Sequence, residues 1–270
     1  RSNETKNYQL ALPAPLLQSD ANSAADGRSY PNSGFVCGDS AVVLSGLAGR
    51  LQGQLHIDPS FAQDLAKARK AAEVRLRATL GPYDALVDAL QTELQQDALW
   101  VRDVTISNST WGNRLLKIFA PRNGIHALGG GIGQGMPMGI GAALGVEGRK
   151  VVALCGDGGL MLNIGELATA VQEQADVTLL VMNDQGYGVI RNIQDARFGG
   201  RHYFTDLRLP DFAKLSESLS VPHWNVTSIS EFGEKFREAL AVNGPTLVEV
   251  NMQAIGPFKV PFAGPPVRTK

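Results

Sequence analysis

Cysteine is scarce in this chain of 270 residues: there are two, Cys37 and Cys155, far apart and outside any Cys-x-x-Cys pair. A disulfide framework and a cysteine-based zinc site are thereby excluded as organising features, and a reducing, cytoplasmic compartment is expected. Net charge is lacking too, since 25 Lys and Arg stand against 26 Asp and Glu. Bulk electrostatics therefore gives no reason to expect a nucleic acid or an anionic membrane as partner. No apolar stretch approaches the roughly 20 residues needed to span a bilayer. The opening residues 1–7 are polar, without a signal-peptide core. Trp100, Trp111 and Trp224 are scattered without the periodicity of a base-stacking surface. Two phosphate signatures are also missing. No register of Gly-x-Gly-x-x-Gly fits residues 129–141, Met161 stands where the Gly156 cluster would need its third glycine, and there is no Gly-x-x-x-x-Gly-Lys-Ser/Thr. A Rossmann dinucleotide site and an ordinary P-loop are thus disfavoured.

What is present is an alternation of apolar runs and helical patterns, with an apolar share of 44%. Residues 1–60 hold a short run at Leu16-Leu17, a strand-like Gly34-Phe35-Val36-Cys37, and a helix that Asp39 can cap, with Val42, Val43, Leu44, Leu47 and Leu51 at helical spacing. This is the end of an α/β domain, too small to bury a sheet alone. Residues 61–80 read as a polar helical connector that Gly81-Pro82 stops. In residues 81–270 a helix is expected over 83–94, then the β-rich residues 99–101 and 104–106. Helices over 134–146, 163–174, 211–219 and 230–242 alternate with strands near Val151, Thr178 and Thr246. The pattern predicts an α/β fold, a parallel sheet with helices on both faces. The first residues, Arg1-Ser2-Asn3-Glu4-Thr5-Lys6, resemble a surface loop cut open, so the chain is expected to be the carboxyl-terminal part of a longer polypeptide.

The pairing that carries most chemistry joins two strand ends. Val151-Val152-Ala153-Leu154-Cys155 closes on Gly156-Asp157-Gly158-Gly159, and a second apolar run closes on Asn183-Asp184-Gln185-Gly186. Asp157 and Asp184 are metal-capable carboxylates, with glycines close by where a backbone must approach a ligand. In a parallel sheet both ends lie at the carboxyl edge, where open α/β sheets bind ligands. A divalent cation carrying a phosphorylated cofactor is the expected occupant. A simple turn is the plain reading of Asp157 taken alone.

A Gly-Asp-Gly followed about two dozen residues later by Asn-Asn or Asn-Asp resembles the thiamin-diphosphate fingerprint of enzymes that decarboxylate or condense 2-oxo acids. The segment Gly130-Gly131-Ile132-Gly133-Gln134-Gly135-Met136-Pro137-Met138-Gly139-Ile140-Gly141 resembles the glycine-rich stretch before that fingerprint in relatives of benzoylformate decarboxylase and acetolactate synthase. The resemblance implies that residues 81–270 are the diphosphate-binding domain and residues 1–60 the end of the middle domain. It implies Mg²⁺ held by Asp157, Asp184 and the Gly186 carbonyl, with two diphosphate oxygens and a water. Gly130 and Ile132 would act on the cofactor's aminopyrimidine, Ile132 as the wedge that bends it. Ser107, Asn108, Ser109 and Thr110, together with Gly156, Gly158, Gly159, Tyr187, Gly188 and Val189, would complete the cofactor contacts. Asp184 stands where the family more often has Asn, which should couple metal and cofactor binding tightly.

Of the remaining candidates, Glu166 is expected to be structural. His126 could face substrate, whereas His56, His202 and His223 are expected at surface or loop positions. Arg191 is expected in a surface ion pair, with a substrate carboxylate as the other option. The substrate implied is a 2-oxo acid. Val189 and Ile193 stand where acetohydroxyacid synthases carry Met and Trp, and Ile190 where yeast-type pyruvate decarboxylases carry a catalytic Glu. Residues 186–191 therefore resemble the benzoylformate decarboxylase branch, with an acetolactate-forming carboligase second. A catalytically silent cofactor-binding or assembly module is the reading from another class. The family's pyrimidine domain, with its glutamate, has no counterpart here, so the site is expected to be shared between subunits of a dimer or tetramer.

Overall fold

A computed structural model describes residues 8–264. The expected cut loop at residues 1–6 and the end of the tail, 265–270, lie outside the described residues. The chain divides into two compact units, one ending at Ala68 and the other running Arg69–Gly264.

In the first unit, β1 (Leu17–Asp20) pairs parallel with β2 (Gly34–Cys37), and α1 (Ser40–Leu51) follows. The Asp39 carboxylate accepts from the Ala41 and Val42 amides at 2.9 and 3.3 Å, which starts α1 where expected. None of the described residues up to Ala68 is buried, as a two-stranded fragment with one helix would predict. Helix α2 (Phe61–Arg77) continues into the second unit and has no buried residue.

The second unit is built on a six-stranded, wholly parallel sheet. Helix α3 (Tyr83–Glu93) precedes β3 (Leu99–Arg102) and β4 (Gly124–His126). Next come α4 (Gly135–Gly145), β5 (Val151–Gly156), α5 (Asp157–Leu162), α6 (Glu166–Gln172) and β6 (Val177–Asn183). The chain continues through α7 (Gly188–Phe198), α8 (Phe212–Ser218), β7 (His223–Val226), α9 (Ile229–Ala241), β8 (Thr246–Asn251) and α10 (Met252–Ile255). The spatial order is β4-β3-β5-β6-β8-β7. All seven residues of β6 are buried, as continuous apolar strands covered on both faces require.

Alternation along each strand sorts two cores. Val152, Leu154, Leu180, Met182 and Val248 face Leu86, Leu90, Phe232 and Phe236 of α3 and α9. Val151, Ala153, Cys155, Leu179 and Val181 face Met136, Ile140, Leu167, Ala170 and Phe212 on the other side. Phe232 and Phe236 stack with centroids 5.3 Å apart. Burying such a side chain contributes roughly 1.5–3 kcal/mol.

Residues 104–106, expected as strand, are not. β3 stops at Arg102, and Asp103 turns the chain by accepting from the Val104 amide at 2.7 Å. Thr105 Oγ1 accepts from the Asn108 amide at 2.9 Å, just where a π-helical turn, Asn108–Gly112, begins. Short polar side chains that bond their neighbours' amides have outcompeted the strand ladder.

Candidate active site

The crossover after β3 leads to β4 on one side, and the crossover after β5 leads to β6 on the other. The chain therefore reverses direction between β3 and β5, the place where open parallel sheets leave a crevice at their carboxyl edge. A cavity of about 350 Å³ lies there, lined by residues 104–106 after β3, residues 156–159 after β5 and residues following β6. The glycine segment adds Gly130 and Ile132 to the lining. Among the described residues the walls are mainly apolar, with Val104, Ile106, Ile132, Met182, Val189 and Ile190 contributing. No Lys, Arg or His among the described residues lines the cavity.

Parallel pairing of Gly156 with Met182 brings the two acidic strand ends side by side. Asp157 is 1% exposed, and its Oδ2 accepts from the Gly186 amide at 2.9 Å. Burial and the neighbouring Asp184 charge push the Asp157 carboxyl up to about 7, against the pull of the Gly158 and Gly186 amides. Burial also raises Asp184, opposed by the Arg191 charge and the bond to Asp157. Two desolvated carboxylates in contact repel when both are ionised. A divalent cation between them removes the repulsion and favours the charged form of each.

The donor set fits Mg²⁺ with thiamin diphosphate. Among the described residues no group of three or more His, Cys, Asp or Glu side chains could hold a metal. Two carboxylates leave coordination positions for a backbone carbonyl, phosphate oxygens and water, the usual Mg²⁺ arrangement. With two acidic groups and, among the described residues, no cationic side chain in the lining, an anionic diphosphate is tolerable only when a cation accompanies it. The backbone is open where a ligand must approach. A Cβ on Gly188 would overlap Asp184 Oδ2, and one on Gly158 would stand 2.7 Å from the Tyr187 ring.

The glycine segment is held from beneath by Asp103, which is fully buried. Its Oδ2 accepts from the Gly133 amide at 2.9 Å. Burial raises its carboxyl, while amides of Val104, Gly135, Gly133 and Gln134 oppose the rise. Gly133 has φ +90°, and a Cβ there would stand 3.0 Å from Leu162; a side chain would strain the turn and push on α5. Asp103 was not among the expected residues, although it carries the same signal as Asp157 and Asp184. Each is the first residue after a strand of the parallel sheet.

Gly130, Ile132, Gly156, Asp157, Gly158, Gly159, Asp184, Gly186, Tyr187, Gly188 and Val189 all line one cavity. Ser107, Asn108 and Ser109 do not; Thr105 and its neighbours line it instead. The Ser107 hydroxyl is buried without a hydrogen-bond partner, and the Asn108 side chain accepts from Arg102 at 3.2 Å. Glu166 is exposed at the start of α6, and His126 is exposed on edge strand β4; neither lines the cavity. Arg191 pairs with Asp206 at 3.0 Å. His223 departs from expectation. It belongs to β7, and its ring bonds Glu249 at 3.0 Å, both side chains being largely buried. A single polar residue opening a four-residue edge strand leaves no periodic signal to read.

An α/β domain with an acid pair and an apolar cavity at the reversal of its sheet is built to hold a metal-bound, phosphorylated cofactor. A family model described as the thiamine pyrophosphate enzyme C-terminal TPP binding domain matches residues 105–250, and the chain belongs to that family. Thiamin diphosphate is the cofactor of this domain, with Mg²⁺ its usual companion. The chain is 30% identical over 90% of its length to a Pseudomonas aeruginosa protein named probable 2-ketoarginine decarboxylase, covering 43% of that protein. It is 35% identical over 92% of its length to the acetolactate synthase large subunit of Haemophilus influenzae, covering 45% of it. A solved structure of the thiamine diphosphate-dependent 4-hydroxybenzoylformate decarboxylase of Rhodococcus jostii superposes with a TM-score of 0.57 at 28% identity. That match covers 61% of this chain and 31% of the other. The chain thus spans less than half the length of these relatives.

Proposed function

We propose that this chain is the metal- and diphosphate-holding portion of a thiamin-diphosphate-dependent enzyme that decarboxylates a 2-oxo acid, of the benzoylformate decarboxylase-like kind. The observation that carries the reading is the cavity itself: an acid pair on one wall and Val104, Ile106, Ile132, Met182, Val189 and Ile190 around the rest. The bound cofactor supplies an electron sink for the pair of electrons left when carbon dioxide departs. The chain's own residues do the holding and the drying. Asp157 and Asp184 side chains and the Gly186 carbonyl would hold Mg²⁺, and Thr105 and the backbone around Gly156 and Gly158 would face the diphosphate. Gly130 and Ile132 would orient the aminopyrimidine. Apolar walls destabilise a compact substrate carboxylate relative to the dispersed charge that follows it, and exclude water from the reacting carbon.

Residues 1–60 are read as the end of a middle domain and residues 61–80 as a connector. The site is read as completed by a pyrimidine domain of a neighbouring subunit in a cytoplasmic dimer or tetramer. Exposed apolar side chains just before the glycine segment, in it and on α5, Leu128 at 75%, Ile132 at 37% and Leu162 at 54%, support a protein surface meeting this face. The test is carbon dioxide release by the full-length gene product, with thiamin diphosphate and Mg²⁺, from aliphatic, aromatic and guanidino 2-oxo acids. Release from none of them overturns the decarboxylase reading. The 35% identity to an acetolactate synthase favours carboligation as the second reading, and acetolactate formed from pyruvate would put it first.

A further inference from the structure

Strand β8 carries a charge where its pattern calls for an apolar residue. Leu247 packs in the core on one face of the sheet, and Glu249, two residues on and therefore on the same face, is a carboxylate with a side chain only 12% exposed. Its Oε1 accepts from Asn183 Nδ2 at 2.6 Å, and its Oε2 meets His223 Nε2 at 3.0 Å. Burial pushes the Glu249 carboxyl up, but the bonds from His223 and Asn183 outweigh it and hold the group below the usual carboxylate range. Asn183 Oδ1 in turn accepts from the Gln185 amide at 3.0 Å. Gln185 sits at φ +60°, a backbone state that a residue with a side chain adopts only when its surroundings impose it. The next amide, that of Gly186, donates to Asp157.

A continuous hydrogen-bonded path therefore runs from edge strand β7 through β8 and the end of β6 to the loop bearing Asp184 and Gly186. Behind the loop the same residues, with Asp211 and Asn225, line a polar hollow of about 390 Å³. Leu207, Leu209 and Phe212 line the hollow too, but the Gln185 side chain is exposed; its backbone is held by hydrogen bonds, the amide to Asn183 at 3.0 Å and the carbonyl to the Leu207 amide at 3.5 Å. A buried carboxylate bonded to an imidazole is a poor source of stability, because apolar residues of the same volume often serve as well or better. Holding a strained loop in one conformation is something apolar replacements do not do.

We propose that Glu249, oriented by His223, acts through Asn183 as a positioning residue that holds the Asp184–Gly186 loop in its metal-binding form before the metal arrives. The inference rests on the reading of Asp184 and Gly186 as Mg²⁺ ligands. Groups that orient metal ligands from outside typically contribute 10–100-fold in metal affinity.

The test uses the full-length gene product and Glu249→Leu, Glu249→Gln and His223→Phe. Thiamin diphosphate binding is titrated against Mg²⁺ by calorimetry, and hydrogen exchange of residues 183–187 is followed in the metal-free protein. Glu249→Leu is expected to raise the Mg²⁺ requirement by about tenfold. It should also speed exchange at residues 185 and 186 while the amides of β5 stay protected. Glu249→Gln, whose amide oxygen still accepts from Asn183, should recover most of the loss, and His223→Phe should fall between. If Glu249→Leu folds too poorly to titrate, the graded response of Glu249→Gln and His223→Phe carries the test. Variants that lose thermal stability but keep the original Mg²⁺ requirement and loop exchange overturn the positioning role. Absence of Mg²⁺-dependent cofactor binding in the unsubstituted protein overturns the metal reading itself, a result told apart by that control alone.

Discussion

Asp157 and Asp184, the two proposed metal ligands, leave differently built strand ends. Asp157 passes from β5 straight into α5, with the following residues Gly158, Gly159 and Leu160 all buried. Its position is set by packing. Asp184 leaves β6 into a loop held by a set of hydrogen bonds: Gln185 N to Asn183 at 3.0 Å, Leu207 N to Gln185 O at 3.5 Å, Tyr187 N to Thr205 O at 2.8 Å and Gln253 Nε2 to Asp184 O at 3.1 Å. Packing tolerates few alternatives, whereas a hydrogen-bonded loop has more than one arrangement available once a bond is lost. The difference teaches that one strand end is fixed by packing and the other by a network of hydrogen bonds.

The strongest way to break the comparison is to remove the packed half. Asp157→Leu should abolish Mg²⁺-dependent thiamin diphosphate binding, read by calorimetry. The same variant should raise the melting temperature of the metal-free protein, because a buried carboxylate crowded by a second one has gone. About 1 kcal/mol of relief corresponds to roughly 2–4 °C in a chain of this size. Gly188→Ala attacks the loop half instead. The new methyl overlaps Asp184 Oδ2, so metal-dependent binding should fall by about 10–100-fold with little change in melting temperature. Asp184→Asn sharpens the contrast more gently, keeping cofactor binding and shifting the preference among Mg²⁺, Mn²⁺ and Ca²⁺ in parallel titrations. Loss of all binding in this variant would mean that the loop carboxylate is as indispensable as the packed one.

A last contrast is the pH dependence of the metal-free protein. Asp157 binds its proton in the folded state up to about pH 7 but releases it near 3.9 when unfolded. Between those values the folded state holds the extra proton, so stability from this group rises as pH falls from about 7 towards 4. Melting temperatures measured from pH 7.5 to 5 should show that rise after the other groups' contribution, taken from Asp157→Asn, is subtracted. Saturating Mg²⁺ and cofactor should cancel it.

The packed half was legible in the sequence and the hydrogen-bonded half only partly so. Apolar runs ending in Gly-Asp-Gly and Asn-Asp mark two buried strands and their carboxylates, because a residue just past a covered strand emerges at the ligand edge. The helices over residues 134–146 and 230–242 were equally plain from spacing, and were found as α4 and α9. What escaped depends on pairs brought together by the sheet. Glu249 and Asn183 are 66 positions apart, and Asp103 and Gly133 are 30 apart; nothing local announces either bond. The break after Arg102 was missed because Val104 and Ile106 look like strand while Asp103 and Thr105 cap the turn.

The two thiols turn this architecture into a pair of chemical clocks. Cys37 is exposed, and Cys155 is wholly buried in β5 with its ionisation pushed far upward by burial and by Asp103. An alkylating reagent meets a thiolate only where solvent reaches it. Cys37 should therefore react at once, and Cys155 only during the brief intervals when the central sheet opens. The alkylation rate at Cys155, read on its own peptide by mass spectrometry, times the opening of the strand that leads into Asp157, and its slowing on adding Mg²⁺ and cofactor would measure how firmly the ligand closes that strand.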